Sequence, residues 1–174
     1  MQLDRDSFER LVLEHLSAAQ RFAIRLTGSV DDAEDVVQEA LVRVAKGWKG
    51  YRGGSSFRTW MFQVIVNVFR DSISRRRPAE SVDVGAVDGN VACDPVASAE
   101  GEELREQVAR LVSGLPARQR EVLVLSAYEG MEVREIASVL AMTEQNVRTN
   151  LHLARRRLKE RLAKTSPGIG HERR

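Results

Sequence analysis

Apolar residues in the first half of the chain recur at every third or fourth position, in three successive stretches. The first stripe runs between residues 8 and 26, a spacing that places its members on one face of an amphipathic helix. Ser29 can cap a second helix, whose apolar positions continue to Val44, and a third stripe extends from Phe57 to Ile73. The N-terminal part of the chain is therefore predicted to be entirely helical.

A further pattern near the C-terminus predicts a helix-turn-helix followed by a long basic helix. Apolar residues repeat at helical spacing from Val133 to Leu140, residues 141–143 interrupt them, and one stripe resumes from Val147 to Leu162. Thr143 can cap the second helix. The predicted fold class is all-α, with two small helical domains joined by a flexible acidic linker.

The net charge of +2 conceals an uneven distribution of charge along the chain. The segment between residues 79 and 104 carries seven carboxylates and no Lys or Arg, and Gly, Ser, Asn and Pro interrupt any regular period. Its acidity is explained equally well by solubility alone. The predicted organisation is an N-terminal domain over 1–78, the linker over 79–103, a helix-turn-helix domain over 104–164 and a disordered tail over 165–174.

Composition excludes several classes of protein. The 174 residues contain no run of eighteen apolar positions and no cationic-then-apolar leader, so we expect a cytoplasmic protein that does not insert into membranes. Cys93 is the only cysteine, and three scattered histidines provide no metal-ligand cluster, so no disulfide and no cofactor are expected. We also expect that the protein is not an enzyme, because its sequence contains no catalytic motif.

The long basic helix is predicted to present a polar face to DNA. Between residues 144 and 164 it carries seven Lys or Arg against two Glu. Gln, Asn and Arg side chains match the donor and acceptor patterns of base edges, and cations further along suit phosphates. A solvated helix face is the alternative, but the preceding helix and tight turn favour DNA. The predicted contacts are Gln145, Asn146, Arg148, Thr149, His152, Arg155 and Arg156.

The second helix of the N-terminal part has a different polar face. Asp31, Asp35, Gln38 and Glu39 group opposite its apolar stripe. This charge is the wrong sign for DNA, so the face is either solvated or contacts a protein with a basic surface. The spacing alone does not decide between these two alternatives.

An aromatic and basic loop, WKGYRGGSSFRTW, connects that helix to the third one. Rings interleaved with cations suit stacking on unpaired bases. The alternative is that Trp48, Phe57 and Trp60 close the core, and we expect at least two of the four aromatic residues to do so. Phosphate-binding loop patterns are absent from it.

The order of these parts resembles the extracytoplasmic-function (ECF) sigma factors of bacterial RNA polymerase. The resemblance rests on DDAEDVVQEALVRV, the aromatic loop, FRTWMFQVIVNVFRDSISRRRP, a variable linker and LPARQREVLVL…EVREIASVLAMTEQNVRTNLHLARRRL, and it covers about residues 5 to 162. It implies sigma region two at the N-terminus and region four at the C-terminus. It also implies that Asp35, Gln38 and Glu39 bind the clamp helices of the largest subunit of core polymerase.

The same resemblance implies two promoter contacts. Residues 51–58 would hold a flipped base of the minus-ten element, and the third helix would lie along the promoter. The implied minus-ten residues are Tyr51, Arg52, Ser56, Phe57, Arg58, Trp60, Asn67, Arg70, Asp71 and Arg75. Arg148, Thr149 and His152 would reach the minus-thirty-five major groove, with Arg155 and Arg156 near phosphates. Ala141 departs from the family, because glycine is common at that position of the turn.

The implied partners are bacterial core RNA polymerase, promoter DNA and an anti-sigma factor, in a stress or envelope response. The acidic linker would thread toward the RNA exit channel. The alternative class is a two-domain helix-turn-helix regulator that binds an operator as a dimer. Because two domains on a flexible linker have no fixed separation, we expect the free chain to bind duplex promoter DNA poorly.

Overall fold

The computed structural model describes residues 4–76 and 107–165, and all regular secondary structure within these two ranges is helical. The predicted all-α class is confirmed. The predicted linker, and residues 166–174 of the predicted tail, lie outside the described residues. The N-terminal domain consists of α1 (Arg5–Thr27), α2 (Val30–Gly47), a single 3-10 turn (Trp48–Gly50) and α3 (Phe57–Arg76).

Local hydrogen bonds define the ends of the first two helices. The carboxylate of Asp4 accepts a hydrogen bond from the backbone N–H of Ser7 at 2.8 Å, which caps α1. Gly28 ends α1 in the left-handed conformation, with φ 77°, and its N–H donates to the Ile24 carbonyl at 2.8 Å. The Ser29 hydroxyl then accepts from the N–H of Asp32 at 3.4 Å, which confirms the predicted cap of α2.

The core of the N-terminal domain lies between the apolar stripes of its three helices. Phe22 of α1 stacks on Phe62 of α3, with ring centroids 4.5 Å apart. Leu26, Met61 and Ile65 belong to the same core and have no exposed surface. Burial of each such side chain contributes roughly 1.5–3 kcal/mol to the stability of the fold. The residues of the predicted stripes thus form the core of this domain.

The C-terminal domain contains four helices in its described part. They are α4, which is described from residue 107 and ends at residue 113, α5 (Ala117–Ala127), α6 (Val133–Leu140) and α7 (Glu144–Thr165). The helix-turn-helix formed by α6 and α7 was predicted. In its turn, Ala141 adopts φ 52°, and the Met142 N–H donates to the Ala137 carbonyl at 3.0 Å. The Thr143 hydroxyl accepts from the Asn146 N–H at 3.2 Å, as the predicted cap requires.

Helix α5 is buried on every side from Gln119 to Leu125. Two of its sides face α6 and α7 of its own domain, and another faces α1 of the N-terminal domain. Helix α6 also packs against α3. The two domains are thus in direct contact, whereas the sequence led us to expect no fixed separation between them. The contact was not expected from the sequence because the residues of α5 that make it are charged. Charged residues normally indicate solvent exposure.

Candidate functional site

The polar face of α7 is fully available to a ligand. All seven residues predicted to contact DNA through the basic helix are exposed, whereas Val147, Leu151 and Ala154 on the opposite side are buried. Arg148 is held by an exposed ion pair with Glu144, one turn earlier, at 2.8 Å. Such exposed pairs contribute little to stability, so Arg148 can release this partner at little cost.

The acidic face of α2 is also at the surface, but parts of it are paired with arginines. Asp35 and Gln38 are exposed. Arg43 bridges Glu39 at 2.6 Å and Asp71 of α3 at 2.8 Å, and Arg75 lies 3.8 Å from Glu39. The predicted polymerase-binding residue Glu39 therefore lies on the same surface as two predicted minus-ten residues, Asp71 and Arg75.

The end of α3 is attached to the start of α2 by another ion pair. Arg76 forms two hydrogen bonds with the carboxylate of Asp32, one of them 2.9 Å long. The hydrogen bond from Arg76 lowers the pKa of the Asp32 carboxyl below its usual value. The cations at the C-terminus of α3 are thus partly engaged by the acidic end of α2.

The aromatic residues of the loop form a cluster on the N-terminal core. Phe57 is buried, and Trp48, Tyr51 and Trp60 are partly buried against the core. Trp48 stacks on Phe8 with centroids 5.1 Å apart, and Trp60 meets Phe57 at 5.5 Å. The expectation that at least two of the four aromatic residues close the core is confirmed.

Polar groups shape the rest of this loop. The Tyr51 hydroxyl donates to the Ser55 carbonyl, and the Ser56 hydroxyl accepts from the N–H of Thr59 at 3.1 Å, which caps α3. Arg52 is exposed at the tip. The His15 ring lies 5.7 Å from Phe57, and its buried Nδ1 has no hydrogen-bond partner. His15 is therefore a packing residue.

Two of the predicted minus-ten residues contact the other domain. Arg70 forms a bidentate ion pair with Glu121 of α5, with Nε–Oε1 and Nη2–Oε2 distances of 3.0 and 2.7 Å. Glu121 has no exposed surface. Arg58 binds the carboxylate of Glu129 at 2.7 Å and its backbone carbonyl at 2.9 Å. The remaining α3 residues predicted for this site, Asn67, Asp71 and Arg75, are exposed.

Two further arginines complete the contact between the domains. Arg25 of α1 lies 3.4 Å from the Glu129 carboxylate, and its guanidinium sits 4.5 Å from the centre of the Tyr128 ring. Arg120 of α5 donates to the Leu26 carbonyl at 2.6 Å. Burial lowers the pKa of Arg120 to about 10, because desolvation disfavours its charged form.

Sequence reasoning did not identify Glu121, Glu129, Arg25 or Arg120. Arg120 and Glu121 immediately precede the apolar run VLVL, and that position was the available signal. Charged residues next to an apolar run that lacks helical alternation suggest burial with ionic partners. Their partners in the N-terminal domain, however, lie 94 and 51 residues away along the chain.

No other kind of site is evident in the described parts of the chain. Within residues 4–76 and 107–165, no group of three or more His, Cys, Asp or Glu is arranged to hold a metal ion. None of the described helices is long and apolar enough to cross a membrane. The fold and the exposed faces define a two-domain helical protein with a helix-turn-helix.

Comparison with known proteins identifies the family. The family model described as "Sigma-70 region 2" matches residues 11–78. The model described as "Sigma-70, region 4" matches residues 105–158. The chain is 31% identical to the ECF RNA polymerase sigma factor EcfG of Rhodopseudomonas palustris, over 88% of this chain and 83% of that protein. It is also 31% identical to the ECF sigma factor SigE of Mycolicibacterium smegmatis, over 92% of this chain, and spans 63% of the length of SigE.

Solved structures agree with this result. CnrH, in a complex with the cytosolic domain of CnrY, is 26% identical, with a TM-score of 0.68 over 92% of this chain and 90% of CnrH. RpoE of Bartonella quintana shares the fold, with a TM-score of 0.69 at 24% identity, over 89% of this chain and 96% of that one. The chain belongs to the ECF RNA polymerase sigma factors, which are transcription initiation factors, and the predicted family is confirmed.

Proposed function

We propose that this sigma factor binds core RNA polymerase through the exposed acidic face of α2 and reads promoter DNA with its two domains. The observation that carries the proposal is the separation of opposite charges. Asp35 and Gln38 are exposed on α2, whereas Arg148, Arg155 and Arg156 are exposed on α7. A surface of each sign on a different domain fits one protein partner and one nucleic acid.

The minus-ten contact is proposed for the aromatic loop and α3. Arg52 and Asn67 are exposed, and Trp60 is partly exposed beside Tyr51. Trp60 and Tyr51 can therefore border a stacking position for an unpaired base, with Arg52 near its phosphate. Phe57 is buried, so we assign it the role of supporting these rings rather than contacting DNA. Ser56, Arg58, Arg70, Asp71 and Arg75 complete the proposed surface.

The minus-thirty-five contact is proposed for α7. Its first turns present Gln145, Asn146, Arg148, Thr149 and His152, where base edges can be reached, and Arg155 and Arg156 follow one to two turns later near phosphates.

We also propose that the protein is cytoplasmic, lacks enzymatic activity of its own and is controlled by an anti-sigma factor. The similar structure of RpoE is a complex with the anti-sigma factor NepR, and CnrH is bound to the cytosolic domain of CnrY. Core polymerase would supply the chemistry of RNA synthesis, while this chain would supply promoter choice and assist melting. The predicted domain boundaries and the path of the acidic linker belong to the same proposal.

The decisive test of polymerase docking changes charge without breaking the ion pairs of α2. Asp35→Arg combined with Gln38→Arg leaves the Glu39–Arg43 pair in place. We expect this variant to lose most of its binding to purified core polymerase, measured by pull-down, and most of its run-off transcription from a genomic promoter library.

The matched control is Glu9→Arg combined with Glu14→Arg, on the exposed surface of α1. It should retain binding, and circular dichroism should show both variants folded. Undiminished binding by the α2 variant would show that the acidic face is not the docking surface.

A further inference from the structure

The first turns of α7 place a carboxylate in line with the side chains proposed to contact DNA. Glu144, Arg148, His152 and Arg155 follow one another at spacings of four, four and three residues, which aligns them along one side of the helix. All of them are exposed. The phosphates of DNA repel a carboxylate in this position, and an exposed ion pair adds little stability in return. The carboxylate therefore needs another explanation.

A hydrogen bond joins this carboxylate to Arg148. Nη2 of Arg148 donates to Oε2 of Glu144 at 2.8 Å, and both side chains keep about half of their surface exposed. The bond uses one N–H donor of the guanidinium, and the others can pair with the O6 and N7 acceptors of guanine. Arginine on guanine is the commonest specific contact between a side chain and a base edge. Glu144 can thus anchor the guanidinium while leaving it able to bind a base.

We propose that Glu144 is a specificity-determining residue, which orients Arg148 toward one guanine of the minus-thirty-five element. This inference rests on the proposed function, because it takes α7 as the helix that reads that element. The arginine side chain has many rotamers, and ordering them opposes binding. A guanidinium that is already anchored loses fewer of them when it meets its base. Exclusion of water by DNA strengthens the anchor, because two opposite charges attract more strongly as the effective dielectric constant falls.

The start of α7 holds Glu144 in a fixed position relative to Arg148. The Thr143 hydroxyl accepts a hydrogen bond from the Asn146 N–H at 3.2 Å, and the Thr143 carbonyl accepts from the Val147 N–H at 3.1 Å. Val147 is fully buried, so this turn is attached to the core of its domain. Both members of the pair therefore project from an ordered backbone, and precise positioning of a side chain requires such support.

A second pair on α7 provides an internal comparison. Arg156 and Glu160 are also four residues apart and similarly exposed, but Arg156 Nε lies 3.6 Å from Glu160 Oε1, which is too long for a hydrogen bond. Arg156 is proposed to contact a phosphate, and phosphate contacts carry no direct information about sequence. Glu160 should therefore affect the strength of DNA binding without affecting its specificity, so Glu160→Ala is the matched control.

The test measures the sequence preference of holoenzyme, assembled from the full chain and core RNA polymerase, on promoters with a randomised minus-thirty-five element. We expect Glu144→Ala to reduce the preference for the guanine read by Arg148 about threefold to tenfold, while other positions keep their preferences. Binding averaged over the library should increase about twofold to fivefold at low salt, because a carboxylate that repels phosphates has been removed. Glu160→Ala should increase average binding with every preference unchanged.

Glu144→Gln distinguishes positioning of Arg148 from a purely local effect on the helix. A carboxylate in the first turn also stabilises a helix through its dipole, and this effect disappears in the Gln and Ala variants alike. The amide oxygen of Gln can still accept the N–H of Arg148. We therefore expect Glu144→Gln to retain part of the preference that Glu144→Ala loses, with both variants shown to be folded by thermal denaturation. Equal loss in the two variants, or no loss in Glu144→Ala, would overturn the positioning role.

Arg148→Ala separates failure of this inference from failure of the proposed function. It identifies the position that Arg148 reads, and in this background Glu144→Ala should cause no further loss of preference there. Losses that add independently, or a wild-type preference at that position for a base other than guanine, would refute the inference alone. Absence of any sequence preference in the minus-thirty-five element with wild-type holoenzyme would instead refute the proposed function of α7.

Discussion

The two helices proposed to contact DNA, α7 and α3, differ in how much of their cationic surface is available. On α7, Arg148 and Arg156 pair with exposed glutamates one turn away, and both arginine side chains are more than half exposed. On α3, Arg70 is bound to a fully buried carboxylate of the other domain. The same residue type thus forms an exposed surface on one helix and a tertiary contact on the other, which indicates that the two proposed promoter surfaces are not equally accessible.

The difference follows from where each helix lies. One side of α7 packs on its own domain through Val147, Leu151 and Ala154, which leaves its polar side in solvent. Helix α3 packs on α1 and α2 with one side and on α6 with another. A cation on that second side must find a partner within the protein, because burying it unpaired is costly.

The largest expected effect compares two ion pairs, Arg70–Glu121 on α3 and Arg156–Glu160 on α7. We expect the first to stabilise the fold and the second to contribute little. Glu121→Ala should lower the free energy of unfolding by about 2–3 kcal/mol, because it leaves the guanidinium of Arg70 without its buried partner. Glu160→Ala, which removes the exposed partner of Arg156, should change it by less than about 0.5 kcal/mol. Urea denaturation followed by circular dichroism measures both. Equal losses of stability in the two variants would show that the two ion pairs do not differ in their contribution to stability.

An intermediate effect is expected within α7 itself, between its first turns and its later ones. Arg148→Ala should cost about 1–3 kcal/mol of promoter binding and relax specificity at one position, whereas Arg156→Ala should weaken all sequences alike. Activity of the holoenzyme on a randomised minus-thirty-five library distinguishes the two outcomes. If both variants weaken every sequence to the same degree, the assignment of Arg148 to a base is wrong.

The smallest expected effect concerns the turn between α6 and α7. Ala141 holds a left-handed conformation at φ 52°, which is unfavourable for a residue with a Cβ atom. Ala141→Gly should therefore stabilise the C-terminal domain, by up to about 1 kcal/mol. The same change at Ala137, inside α6, should destabilise it by about 1 kcal/mol. Thermal melts of the two variants should shift in opposite directions, and a loss of stability in both would contradict this explanation.

Much of the local structure could be predicted from the sequence. The apolar period placed α1, α2, α3, α6 and α7, and the caps at Ser29 and Thr143 are present as expected. These features depend on residues within a turn or two of each other, so the sequence contains all the information they require. The exposure of the polar face of α7 follows from the same period.

The contact between the domains was not predictable in this way. Arg70 and Glu121 are 51 positions apart, and Arg58 and Glu129 are 71 apart. A charged residue on a helix is normally solvated, and nothing local distinguishes one that will meet an opposite charge on a distant helix.

The sequence by itself determined helices α1, α2, α3, α6 and α7, their order, the helix-turn-helix and the family. Only the tertiary structure decided which cations remain exposed and which are bound to carboxylates inside the protein. The physical reason is that periodicity specifies the buried side of each helix, whereas the pairing of helix surfaces depends on long-range packing. In this chain that packing brings Glu121 and Glu129 onto the arginines of α3.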